Sequence, residues 1–216
     1  MRTMIAVPCM DMVHTDFYRS CLGLQLTGDV QWTTCQCSLV YDARNQLADI
    51  ALRDGFDRVL WLDSDMVFDP YLFKRLSEHL DLGRDMITGI YFGRKPPFRP
   101  TIYRVCDPEI RPDGLRPIAE NYDSYERDSL FEIAACGFGA VMHSVELLRR
   151  VKEANPLPFF PADGFGEDFA FCRRVRALNG RIWCDSSIKL GHVGTALFDE
   201  ESWEEAKTET AEAGNV

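Results

Sequence analysis

A chain of 216 residues, 46% of them hydrophobic and 12% aromatic, can bury a core without disulfides or oligomerisation. Its 24 basic against 34 acidic side chains leave a net charge of −10; with no basic stripe, such a surface repels phosphates, so direct nucleic-acid binding is not expected. Eight cysteines without a C-x-x-C pair read as reduced thiols of a cytoplasmic protein, not structural zinc ligands, and neither a signal peptide nor an apolar run near the ~20 residues of a transmembrane anchor is expected.

In chain order, the apolar run Met4 to Pro8 predicts a buried strand, and Thr15 to Leu22 a helix capped by Thr15 or Asp16. Gln31 to Val40, rich in Thr, Trp and Val, can hold a second strand. Ala43 to Arg53 places Leu47, Ile50 and Leu52 broadly on one side of a helix that Gly55 ends. Val59 to Leu62 is continuously apolar, as a central parallel strand covered on both faces should be. Asp69 and Pro70 predict a helix start, with Asp69 capping and Pro70 first, running to about Leu80, before a strand from Met86 to Tyr91. Prolines make Arg94 to Pro100 a loop. Strands follow at Phe131 to Ala135 and Ala140 to His143, then helices at Val145 to Ala154 and Asp168 to Leu178, and a strand at Ile182 to Asp185. This alternation predicts one α/β domain with a mainly parallel central sheet flanked by helices. The acidic stretch Asp199 to Glu212 reads as a solvated helix or a frayed end, so residues 1–196 are set apart as the domain and 197–216 as a tail.

The chemistry concentrates at RVLWLDSDMVFDP, Arg58 to Pro70. In open α/β sheets ligands collect beyond the carboxyl ends of strands, and there Asp63 and Asp65, two residues apart in extended backbone, point the same way. Two such like charges call for a divalent cation, and hard oxygen ligands favour Mg²⁺, Mn²⁺ or Ca²⁺. An EF-hand loop is excluded, because Val67 and Phe68 stand where it needs an oxygen ligand and a glycine. A turn that merely favours Asp is the structural alternative.

LWLDSDMVF resembles the D-x-D segment of metal-dependent GT-A glycosyltransferases, especially the inverting family 2. Further pieces match in order: MIAVPC, DARNQLADIAL, GIYFGRKPP, ACGFGAVMHSVELL, GFGEDFAFCRR and IKLGHVG, together spanning about Thr3 to Gly194. The resemblance implies a GT-A (Rossmann-like) fold, a UDP- or GDP-linked sugar donor, and Mn²⁺ or Mg²⁺ as cofactor. The acceptor it implies is a glycan, a lipid-linked sugar, a protein or a modified base. In the segment Asp63-Ser64-Asp65 it makes Asp65 the metal ligand and Asp63 the nucleotide contact, reaching the ribose or the metal through water, with Ser64 also on the nucleotide-sugar; His192 completes the coordination sphere. Asp168, or in second place Glu167, becomes the base that takes the acceptor's proton, although acids in a helix's first turn are also favoured by the macrodipole. Arg44 contacts the nucleotide, and Pro8 and Cys9 line the base pocket. Arg94 and Lys95 meet phosphate or are solvated loop cations. Gly137 and Gly139 admit donor or acceptor to the backbone, or make a tight turn.

Rival readings lack their signatures. A sugar nucleotidyltransferase needs glycines after strand one, where this chain has PCMDMVHTD; GFGAVM lacks the third dinucleotide-binding glycine, and no P-loop is present. A glycoside hydrolase needs two carboxylates but no metal pair at a strand end. A non-catalytic carbohydrate- or nucleotide-sugar-binding protein of the same fold stays open, because 216 residues leave little chain for an acceptor side.

Overall fold

The computed structural model describes residues 1–194 and 197–213. Strand β1 (Arg2–Cys9) leads through α1 (Thr15–Gly23), β2 (Asp29–Gln36) and α2 (Val40–Arg53) to β3 (Arg58–Leu62). Then come the short β4 (Met66–Val67), α3 (Leu72–Asp81) and β5 (Met86–Ile90). A hairpin of β6 (Ile102–Arg111) and β7 (Gly114–Asn121) precedes β8 (Leu130–Ile133), β9 (Ala135–Cys136) and β10 (Ala140–Ser144). The chain closes with α4 (Val145–Ala154), α5 (Glu167–Ala177), β11 (Ile182–Lys189), β12 (Gly191–Val193), β13 (Leu197–Phe198) and α6 (Glu200–Ala213).

Seven strands form the central sheet in the order β2-β1-β3-β10-β5-β11-β8. Strands β2, β1, β3, β5 and β11 run one way, while β10 and β8 are antiparallel to their neighbours, so the sheet is mixed but mainly parallel. Its apolar strands alternate between two cores, as period-two side chains must. Val59 and Trp61 of β3 face the core beneath α2, α4 and α5; Leu60 and Leu62 face Phe17 of α1 and Leu72, Phe73 and Leu76 of α3. In the first core Phe138, Phe159 and Phe171 pack together, and the Trp61 indole N–H donates to His143 Nε2 at 2.8 Å. Burial pushes the His143 imidazole down to about 4, and its Nδ1–H donates to Ser144 O.

Several boundaries differ from the sequence expectation. His14, not Thr15 or Asp16, caps α1, its ring nitrogen accepting from Asp16 N. Val40 opens α2 instead of ending β2. Asp69 and Pro70 precede α3: Asp69 Oδ1 accepts from Tyr71 N and its carbonyl from Leu72 N, a turn that feeds the helix from outside. The hairpin of β6 and β7 has no counterpart in the sequence reading. Only Ile102 and Cys106 of β6 are buried and β7 is mostly exposed, so neither strand carries a hydrophobic period to read.

The acidic segment expected as a tail packs on the domain. Trp203 of α6 is 4% exposed and stacks between Phe92 and Tyr125, with centroids 5.2 and 5.5 Å away, while the Tyr125 hydroxyl donates to Glu200. Strand β12 lies between β13 and β4, so this end of the chain braces His192. Among the described residues all eight cysteines are free thiols, and no helix is long and apolar enough to cross a membrane. Trp203→Ala is expected to lower the free energy of unfolding by about 3 kcal/mol in urea denaturation; a change within ~0.5 kcal/mol would show that α6 contributes nothing to the core.

Candidate active site at the strand ends

Asp63 follows β3 directly, its N–H donating to Gly139 O just before β10, so the carboxylate leaves the sheet at its carboxyl end. Its Oδ1 accepts from Arg44 Nη2 at 2.8 Å. Arg44 enters from the first turns of α2 and is 2% exposed, with its guanidinium over the Phe138 and Trp61 rings at 5.2 and 5.9 Å. Its Nε lies 3.6 Å from Glu167 Oε1, too long for a hydrogen bond, and Nε and Nη1 are buried without a hydrogen-bond partner. Burial works against this charge, but Asp63, Glu167 and Asp168 together raise the guanidinium pKa. The sequence reading put Arg44 on the nucleotide. The guanidinium is buried, reaches Asp63 and faces Glu167, joining the D-x-D turn to the start of α5.

Asp65 points to a different set of partners. Backbone pairing of β4 with β12, including Val193 N to Asp65 O at 2.8 Å, sets it beside His192. Asp65 Oδ2 accepts from Arg94 Nη1 at 2.9 Å and lies 3.4 Å from His192 Nε2. Burial would raise this carboxyl, yet His192 and Arg94 hold it below the ordinary value. His192 Nδ1 is 3.0 Å from Phe92 O, a pure acceptor, so Nδ1 carries the proton. Nε2 therefore confronts a carboxylate oxygen at a distance that calls for a shared proton or cation. The Tyr91 ring meets the imidazole edge-on at 5.3 Å.

The second acidic pair opens α5, whose N-cap is Gly166 with no side-chain cap. Asp168 Oδ1 accepts from Phe169 N at 2.8 Å. Burial first, then the charge of Glu167, pushes the Asp168 carboxyl up to about 7; Arg44 opposes and Asp63 adds to the rise. Burial likewise pushes Asp63 upward, Arg44 pulls it back, and Asp65 adds to the rise. Four carboxylates and one imidazole from segments far apart in the chain thus lie near one another, with Arg44 facing Asp63 and Glu167 and Arg94 facing Asp65.

The remaining expected residues sort by contact. Pro8 is buried and Cys9 half-buried at the end of β1, where Cys9 O takes the amide of Cys37. Ser64 O accepts from His14 N, tying the D-x-D turn to α1, and Lys95 is exposed in its loop. Gly137 and Gly139 have a packing reason: an added Cβ would lie 2.1 Å from the Tyr91 hydroxyl at Gly137, and 2.8 Å from Met66 Sδ at Gly139. Tyr91, which sequence reasoning passed over inside GIYFG, accepts from Gly139 N and floors the site; its buried phenol pKa is raised far above the ordinary value.

For a metal, Asp63 does not join the Asp65–His192 pair but turns to Arg44. Among the described residues no group of three or more His, Cys, Asp or Glu gathers at metal-binding distance. Two protein ligands with open positions suit an ion bound together with substrate phosphates, the usual arrangement for Mg²⁺-type sites, and an imidazole nitrogen facing the Asp65 carboxylate at 3.4 Å fits that donor set.

No protein-family model matches the chain, and no curated protein matches it in sequence. Among solved structures, 427 chains match. One of them, the crystal structure of A197 from STIV, is similar over 90% of this chain and 86% of that one, with a TM-score of 0.63 and 21% identity. Likeness at that identity shows the fold alone: a mixed α/β unit of Rossmann-like type, an architecture that hosts many chemistries.

Two measurements test the electrostatics. A carboxyl whose folded pKa is raised binds its proton in the native state first, so stability falls as pH rises from about 4 through about 7. Asp168→Asn removes that loss, and its stability gain over wild type should be about 2 kcal/mol larger at pH 8 than at pH 5; a gain equal at both pH values contradicts the raised carboxyl. In a double-mutant cycle, Arg44→Met and Asp63→Asn should couple by about 1–3 kcal/mol; additive effects would mean the Arg44–Asp63 pair is not formed.

Proposed function

We propose that the chain is a metal-dependent GT-A glycosyltransferase that moves a sugar from a UDP- or GDP-linked donor to an acceptor hydroxyl with inversion. One observation carries the reading: two acidic pairs distant in sequence are drawn together by Arg44, and their free members differ in protonation, Asp65 held low and Asp168 pushed up to about 7. Pushing two carboxyls apart in this way suits two different jobs. The fold likeness and the order of motifs from D-x-D to IKLGHVG support the same class.

Asp65 and His192 would hold the cation, Mn²⁺ more naturally than Mg²⁺ because one ligand is an imidazole. When bound, the ion supplies positive charge against the diphosphate as it leaves. Asp63, fixed by Arg44, stands at the strand end where the donor's nucleotide half would lie. Asp168 is the base. As the acceptor oxygen bonds to the anomeric carbon and the bond to the diphosphate breaks, the hydroxyl proton passes to the Asp168 carboxylate. A carboxyl poised near neutrality is ionised often enough to accept that proton and basic enough to hold it. The acceptor stands as a glycan, a lipid-linked sugar, a protein or a modified base. The eight free thiols support a reducing, cytoplasmic site of action.

Mn²⁺ with UDP or GDP is expected to raise the melting temperature more than the two separately, and Asp65→Ala to abolish that synergy. With a panel of sugar nucleotides, Asp168→Asn should bind donor like wild type but lose transfer or donor hydrolysis by at least about 100-fold. Turnover by Asp168→Asn at the wild-type rate removes the base assignment; binding of donor without turnover by wild type favours a nucleotide-sugar-binding protein.

A further inference from the structure

The two arginines at this site are of different kinds. Arg44 is sealed among rings and carboxylates, whereas the Arg94 side chain is 47% exposed on the loop that follows β5. Both hydrogen bonds of Arg94 leave from one nitrogen, Nη1, to Asp65 Oδ2 at 2.9 Å and to Val193 O at 3.2 Å. The same Oδ2 is the oxygen that faces His192 Nε2. A divalent ion bridging Asp65 Oδ2 and His192 Nε2 therefore competes with a guanidinium for that oxygen, and whichever carboxylate oxygen it takes, it binds against the guanidinium's positive charge.

We propose that Arg94 is an internal stand-in for the metal: it neutralises Asp65 in the free protein and transfers to the donor's diphosphate when ion and nucleotide bind. This rests on the metal-dependent reading above and adds a rule of assembly to it. The exchange is cheap, since a half-exposed ion pair stabilises by only about 0.2–1 kcal/mol and the side chain can swing without opening the core. An arginine suits both partners, because its planar fork pairs with carboxylate and phosphate alike. With Arg94 on Asp65, a bare cation meets a neutralised ligand. A diphosphate draws the guanidinium away and leaves Asp65 charged for the ion, so each ligand strengthens the other, and by linkage they do so equally.

Calorimetric titration of the full chain with MnCl₂, in the absence and presence of UDP or GDP, tests this. Wild type should bind Mn²⁺ weakly alone and more tightly with the nucleotide. Arg94→Gln should bind Mn²⁺ alone about fivefold more tightly than wild type, with the nucleotide's enhancement reduced by a similar factor. Lys95→Gln, which removes an equal charge from the exposed neighbour, should shift Mn²⁺ binding by less than about twofold. Melting curves of both variants confirm that the comparison is between folded proteins. Arg94→Gln binding Mn²⁺ alone no more tightly than wild type, or no more tightly than Lys95→Gln, overturns the role of Arg94 and leaves the metal reading standing. Wild type that binds Mn²⁺ under neither condition removes the metal reading and the stand-in with it.

Discussion

The buried guanidinium of Arg44, with Asp63 on one side and Glu167 on the other, is the constraint from which the site follows. A cation taken almost wholly out of water is tolerable only when counter-charges and polarisable surface replace its hydration. Here two carboxylates and the faces of Phe138 and Trp61 do so. The arrangement joins the start of α2, the end of β3 and the start of α5. Each acidic pair lends Arg44 one member: Asp63 is bonded and Glu167 is held nearby, while Asp65 and Asp168 make no hydrogen bond to it. A lysine in this place would offer no planar face to the two rings.

The two remaining carboxyls are then separated by environment. Asp65 has the Arg94 guanidinium and the His192 ring as its neighbours and is held low. Asp168 lies deeper, beside the charge of Glu167, and its proton comes and goes near neutrality. Identical side chains thus acquire different proton affinities through burial and the sign of their nearest neighbours.

A second line of support runs from the C-terminal helix to the imidazole. Trp203 stacks on Phe92, Phe92 O orients His192 through Nδ1, and β13 pairs with the strand that carries His192. Beneath them Tyr91 fills the space that Gly137 and Gly139 leave without side chains. The histidine is held by the second of two consecutive residues, Tyr91 and Phe92, that leave β5, while its ring rests against the first.

Local pattern sufficed for the alternating apolar strands, for the helices of Val145–Ala154 and Glu167–Ala177, and for carboxylates at the end of β3. Hydrophobic period and position after a strand are properties of a few neighbouring residues, and the chain states them directly. The exposed hairpin of β6 and β7 was not legible, because strands with little burial carry no period. Nor was the docking of α6, whose one deeply buried aromatic, Trp203, sits among acids that read as solvated. Which carboxylate meets which cation was decided only in three dimensions. Asp63 and Asp65 look alike in sequence, but Arg44 lies 19 residues from one and Arg94 lies 29 from the other. Sheet order, not local preference, carries those residues to their partners, and charge pairing across such separations leaves no trace in the spacing of a single chain.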